Sequence, residues 1–90
     1  MTEVVILISS LLFADIQNDA SANAHAEALI READRYGGIM NYDSATPNPE
    51  QPGTVYLTIM IDNQAQAFAE TVRNLEGVYA SYVKPGVERP

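Results

Sequence analysis

The chain has 90 residues, of which 47% are hydrophobic and 19% charged, a composition typical of a folded protein with one hydrophobic core. Its formal net charge is −7 and its five basic residues are scattered, which argues against a nucleic acid as partner. It has no cysteine, which excludes disulfides, thiolate metal sites and cysteine nucleophiles. We expect a single domain over residues 1–90 in the cytoplasm.

The first predicted element is a β-strand in the apolar run of residues 4–13, VVILISSLLF. Its β-branched residues favour a strand that is covered on both faces. The run follows Glu3, has no basic segment before it, and is about half the length of a membrane-spanning helix. We therefore expect neither a secretion signal nor membrane insertion. Residues 14–23, ADIQNDASAN, are polar and poor in helix-forming residues, so we predict a loop there.

A helix is predicted next, in the segment of residues 24–38, AHAEALIREADRYGG. Its apolar residues recur at helical spacing, namely Ala26, Leu29, Ile30, Ala33 and Tyr36. Ser21 or Asn23 is expected to cap its start by accepting a backbone N–H. Gly37 and Gly38 are expected to end it, because glycine tolerates the left-handed conformation that follows many helices.

Two strands flank a proline-rich loop in the middle of the chain. Residues 39–43, IMNYD, predict a short strand, and the three prolines within residues 44–53 predict a loop without regular pairing. Residues 54–62, TVYLTIMID, alternate strictly and give the clearest strand. One face of this strand is expected to enter the core, and the other carries Tyr56, Thr58 and Met60.

The last two elements are a helix and a strand. Asp62 or Asn63 is expected to cap a helix over residues 64–76, QAQAFAETVRNLE, which Gly77 ends. Residues 78–83, VYASYV, predict the fourth strand, and residues 84–90 predict a loosely held tail.

The predicted order is βαββαβ, which indicates an α+β, ferredoxin-like fold with a four-stranded antiparallel sheet and two helices on one face. The other sheet face then stays open, and its tyrosine and methionine side chains form an apolar patch typical of an interaction site. We expect a homodimer through this face, with Tyr56, Thr58, Met60 and Tyr79 at the interface.

The segment TVRNLEGVYASYV, residues 71–83, resembles the end of an ACT domain, where a helix passes through a similar turn into the last strand. This resemblance implies a regulatory module that associates through its sheet and binds a small effector such as an amino acid. Asp15, Asn18 and Asp19 would then contribute ligand contacts from the turn after strand one. The family places a glycine in that turn, and residues 14–23 have none.

A second resemblance gives a different function. The segments RYGGIMNYDSA and LEGVYASYVKPGVE are similar to the subtilisin-propeptide family of protease inhibitors. In that family the outer sheet face and the C-terminal tail contact the protease. The resemblance therefore implies contacts from Tyr79, Val83 and residues 84–90.

An enzyme is the third alternative, because cofactor-free dimeric α+β barrel enzymes have about this length. A cavity between two sheets would be lined by Tyr42, Tyr56, Met60, Tyr79 and Tyr82, and His25 is the only histidine available as a base. The chain contains no HxxxH, GxSxG, GxGxxG or phosphate-loop motif. We therefore predict no catalytic residue, no metal site and no cofactor, and expect a regulatory or interaction module.

Overall fold

The computed structural model describes residues 2–19, 21 and 23–84, which form a small α+β structure. In chain order its elements are β1 Thr2–Ser9, α1 Ser10–Asn18, α2 Ala24–Arg35, β2 Ile39–Pro47, β3 Thr54–Ile61, α3 Ala65–Val72 and β4 Val78–Val83. The predicted tail falls largely in residues 85–90, which lie outside the described residues.

The four strands form one antiparallel sheet in the order β2-β3-β1-β4. β1 and β3 pair along their full length, from Thr2 opposite Ile61 to Ser9 opposite Thr54. β4 lies along the other side of β1, with a register shift between Leu7 and Ile8. The two long, apolar strands are therefore central, and the shorter β4 and the irregular β2 lie at the edges.

The hydrophobic core joins alternate residues of the central strands to all three described helices. The fully buried strand residues are Val4, Ile6, Ile8, Leu57, Ile59 and Ile61. The helices contribute Leu12 and Ile16 from α1, Ala26, Leu29 and Ala33 from α2, and Phe68, Ala69 and Val72 from α3. Tyr36 packs edge-on against Phe68, with ring centroids 5.5 Å apart. The predicted alternation of β3 is confirmed.

The prediction of a long first strand followed by a loop was wrong. β1 ends at Ser9, and the next nine residues form α1. The Ser9 hydroxyl accepts a hydrogen bond from Leu12 N at 3.0 Å and so caps the new helix. Leu12 and Ile16, one helical turn apart, are buried in the core. The apolar pattern after Ser9 therefore has the period of a helix, and the chain has three described helices where two were expected.

The predicted start and end of α2 are confirmed. Asn23 is the cap, and its side chain accepts a hydrogen bond from His25 N at 2.9 Å. The helix ends before Gly37, which adopts a φ of +68° that side-chain-bearing residues rarely take. Gly38 then passes close to the core, because an added Cβ would lie 2.8 Å from Ile61 Cδ1.

β2 extends further than predicted, to Pro47, and is irregular. Ile39, Met40 and Asn41 pair with β3, the register then shifts, and pairing resumes at Thr46 and Pro47. Within the irregular part the Ser44 hydroxyl accepts a hydrogen bond from Thr58 N at 2.9 Å and replaces a missing backbone partner. Pro47 is tolerated because an edge strand has one side without ladder bonds. The loop therefore begins at residue 48, not at residue 44.

The start of α3 also differs from the prediction. Its N-cap is Gln64, in the left-handed conformation with φ of 59°, and no side chain caps the helix there. Asp62 and Asn63 were the expected caps. The regular helix ends at Val72, earlier than predicted, and turns lead to Gly77, whose φ of +87° explains why glycine stands there. β4 begins at the next residue, as predicted.

Candidate functional site

The main candidate is the second sheet face, by which we mean the strand side chains that alternate with the core residues. Cross-strand partners in an antiparallel sheet point to the same side, so the register defines the members. They form three rows across the sheet: Tyr82, Val5, Thr58 and Asn41; Ala80, Leu7, Tyr56 and Thr46; Glu3, Met60 and Ile39. Three of the four predicted interface residues, Tyr56, Thr58 and Met60, therefore lie side by side.

The centre of the second sheet face is apolar and its margins are exposed. Val5 and Leu7 on the central strand keep only 8% and 7% of their surface accessible. Tyr82 on β4 is 47% exposed, and Ile39 on β2 is 58% exposed. The face thus presents large apolar side chains around a closely packed middle.

Tyr79, the fourth predicted interface residue, lies at an irregular point of β4. Ala80 is opposite Leu7 and Val78 is opposite Ile8, so Tyr79 is the extra residue in the β-bulge. Its side chain is 56% exposed. It borders the second sheet face at the strand edge rather than occupying a row.

Charge is confined to one end of the second sheet face. Glu3 Oε1 lies 3.2 Å from Lys84 Nζ, and Lys84 N donates a hydrogen bond to Glu3 O at 2.8 Å. The other charged side chains in the described part of the chain belong to the helices, the loops and the irregular part of β2. On a chain of net charge −7, this face is electrically almost neutral.

The predicted ligand residues Asp15, Asn18 and Asp19 are not in the turn after β1. That turn is the direct junction of Ser9 and Ser10, whereas these three residues lie at the C-terminal end of α1. The expectation about their position was wrong because α1 replaces the predicted loop. Asp15 Oδ2 accepts from Asn23 Nδ2 at 2.6 Å, and Asp19 Oδ1 accepts from Ser21 Oγ at 2.6 Å. Both carboxylates therefore help to close the α1–α2 connection, and their role in ligand binding stays a prediction.

His25 is an exposed residue in the first turn of α2. The enzyme alternative placed His25 beside the tyrosines of the sheet, but His25 is in α2, whereas Tyr56 and Tyr82 are on the second sheet face. Within the described residues, no three acidic or histidine side chains come together as a metal ion would require. Glu32 on the same helix has one buried carboxylate oxygen, Oε1, to which none of residues 2–19, 21 and 23–84 donates a hydrogen bond. Its other oxygen, Oε2, lies 3.6 Å from Arg35 Nη2.

Tyr42, which the enzyme alternative placed in a sheet-lined cavity, lies elsewhere. Its ring centroid is 6.3 Å from that of Phe13 in α1, and its side chain lines a cleft between α2 and β2. The irregular register of β2 explains the misplacement, since simple alternation does not hold between Asn41 and Thr46.

The inhibitor alternative also placed one contact on the wrong face. Val83 pairs with the core residue Val4 and packs against the hydrophobic core, so it does not belong to the outer surface expected from that resemblance. The remaining contacts were assigned to residues 84–90, and of these the structure describes Lys84 alone.

No family model, curated protein or solved structure matches this chain. Among the helices of the described residues, none is long and apolar enough to cross a bilayer.

Proposed function

We propose that the protein is a small interaction module that forms a homodimer through its second sheet face. The observation that carries this proposal is the pair of exposed apolar side chains, Ile39 and Tyr82, on a face with almost no net charge in a strongly acidic chain. Contiguous apolar patches on soluble proteins usually mark interaction sites. A regulatory role of the kind found in ACT domains, with a small effector such as an amino acid, extends the same proposal.

The fold supports this proposal if it is ferredoxin-like with all helices on one side of the sheet. The β2-β3-β1-β4 order, with antiparallel pairing throughout, agrees with that fold. The residues of the two central strands that share a core with the helices all point to the same side of the sheet. They are Val4, Ile6 and Ile8 in β1 and Leu57, Ile59 and Ile61 in β3. In a fold of that kind, none of the helices in the described residues would cover the second sheet face.

Charge favours a second copy of the chain as the partner. Two chains that each carry −7 repel one another over most of their surfaces. The second sheet face is the region where that repulsion is smallest, because its charged pair, Glu3 and Lys84, is internally compensated. A two-fold axis through this face would bring identical neutral surfaces together, as in most homodimers.

The size of the face predicts a reversible dimer. Four strands about 4.8 Å apart, with about eight residues in each central strand at roughly 3.3 Å per residue, give an area on the order of 500 Å². Two such faces would bury about 1,000 Å² in total, which is the lower limit for a specific interface. We therefore expect the dimer to dissociate on dilution.

The proposal is tested by charged substitutions at the centre of the face. Thr58 lies between Val5 and Asn41 in the first row, so Thr58→Glu and Thr58→Lys each place an unpaired charge where a dimer would exclude water. Light scattering across a dilution series should show a dimer for the unmodified protein and a monomer for both variants. Testing both signs separates desolvation from a simple increase in net charge.

The matched control is Ala67→Glu, because Ala67 is exposed on α3 and the substitution changes the net charge by the same amount as Thr58→Glu. This variant should remain dimeric, and circular dichroism should show that all variants are folded. A monomeric unmodified protein at every concentration, or dimers of both Thr58 variants, would contradict the proposal. The monomer result would make protease inhibition the next assay.

A further inference from the structure

A second surface feature is a cleft of about 300 Å³ between the end of α2 and the start of β2. It is lined by Ile30, Ala33, Asp34, Gly38, Met40 and Tyr42, together with Ile39 at the margin of the second sheet face. Gly38 lies directly against the core at this point, because an added Cβ would be 2.8 Å from Ile61 Cδ1 and 3.0 Å from Ala33 O. The volume is at the lower end of the range for small-ligand sites.

The cleft combines an aromatic wall with one carboxylate. Tyr42 is held by its contact with Phe13, and the neighbouring residues Ile30, Ala33 and Met40 are apolar. Asp34 contributes the charged group, and in the part of the chain that the structure describes its carboxylate makes no hydrogen bond or ion pair.

The two arginines of the same helix are already engaged. Arg31 Nη2 lies 3.7 Å from Glu27 Oε1, and Arg35 Nη2 lies 3.6 Å from Glu32 Oε2. Neither ion pair includes the Asp34 carboxylate. The cleft therefore carries one uncompensated negative charge beside apolar and aromatic surface.

We propose that this cleft binds a small organic cation, that is, an amine or quaternary ammonium attached to an apolar body of about the size of one aromatic ring. The apolar body would lie against Ile30 and Met40. The cationic group would contact the Asp34 carboxylate and the face of the Tyr42 ring, both of which attract positive charge. The acidity of the whole chain also concentrates cations and repels anionic ligands.

The probe for this proposal is phenethylamine, compared with the neutral 2-phenylethanol and the anionic 3-phenylpropionate. Each is titrated into the full protein while the amide resonances of Ala33, Gly38 and Met40 are followed by NMR. We expect shifts in these residues with phenethylamine, weaker shifts with the alcohol, and none with the acid. Added salt should weaken the binding of the amine and leave that of the alcohol unchanged.

Two variants assign the contacts. Asp34→Asn should lower the affinity for phenethylamine at least about threefold and leave that for 2-phenylethanol unchanged, because it removes a largely exposed charge and keeps the shape. Tyr42→Leu should weaken both ligands. The control Glu76→Gln removes an exposed carboxylate outside the cleft and should change neither affinity.

Three results would overturn the proposal: equal binding of the amine and the alcohol, an unchanged amine affinity in Asp34→Asn, or shifts confined to residues outside the cleft. This experiment measures the affinity for a ligand and the dimer experiment measures the solution mass, so the failure of one and the failure of the other are distinguishable.

Discussion

The two faces of the sheet differ although the same strands build them. On β1 the core residues Val4, Ile6 and Ile8 are fully buried beneath helices, and their neighbours Val5 and Leu7 are almost as inaccessible on the other side. The second face has Val5 and Leu7 at its centre and is bordered by the exposed Tyr79 and Tyr82. The continuous apolar run of β1 therefore has two sets of side chains. One set packs within the chain, and we propose that a partner covers the other.

The largest expected difference between the faces is in the cost of shortening adjacent residues of β3. Ile59→Ala removes a fully buried side chain and should lower the free energy of unfolding by about 2–5 kcal/mol. Met60→Ala, on the second sheet face, should cost less than about 1 kcal/mol. Urea denaturation of dilute protein, in which association does not contribute, measures both. Equal costs would mean that the second face is packed within the monomer.

A smaller effect is expected from a buried polar group between β4 and α3. Ser81 is 5% exposed, and its hydroxyl donates to Ala69 O at 2.9 Å, linking β4 to α3. Ser81→Ala should cost about 1 kcal/mol. The control Thr46→Val removes an exposed second-face hydroxyl, which donates to Ser44 O at 3.0 Å, and should cost less than about 0.5 kcal/mol. A control effect as large as that of Ser81→Ala would contradict the proposed contrast.

The smallest effect should come from the ion pair at the end of the second face. Glu3 and Lys84 are both partly exposed, so Glu3→Gln should change the stability of the monomer by at most about 0.5 kcal/mol. High salt should remove this difference. Thermal unfolding of the variant at low and high salt is the measurement, with Glu50→Gln in the exposed loop as control. A larger effect that persists in salt would show that the pair is shielded from water in the monomer.

The sequence predicts the regular parts of this fold well because their signals are local and consistent. The strict alternation of β3, the helical spacing in α2 and the glycine that ends α2 all agree with the structure. The α+β class and the antiparallel four-stranded sheet follow from these elements.

The secondary-structure predictions fail where the same residues are compatible with two kinds of element. Leu11, Leu12 and Phe13 extend the apolar run of β1, yet Ser9 caps a helix there, and the spacing of Leu12 and Ile16 is the signal that identifies α1. In β2 the prolines suggest a loop, but Ser44 supplies the hydrogen bond that keeps the strand attached. The left-handed start of α3 at Gln64 has no evident sequence signal.

The two candidate sites differ in how far they can be predicted from the sequence. The second sheet face follows from the alternation of β3 alone, so Tyr56, Thr58 and Met60 are predictable from the sequence. The α2–β2 cleft cannot be predicted in this way. It depends on the irregular register of β2 and on the position in α1 of Phe13, a residue that the apolar run predicts in the first strand.

Contacts between two copies of the chain test the central claim most directly. In a mixture of isotope-labelled and unlabelled protein, filtered NOE spectra report only on atoms of different protomers. The dimer that we propose predicts contacts between the methyl groups of Ile39 and Met60 in one protomer and the rings of Tyr56 and Tyr82 in its partner. An absence of such contacts at high concentration, or contacts confined to helix residues, would contradict the account.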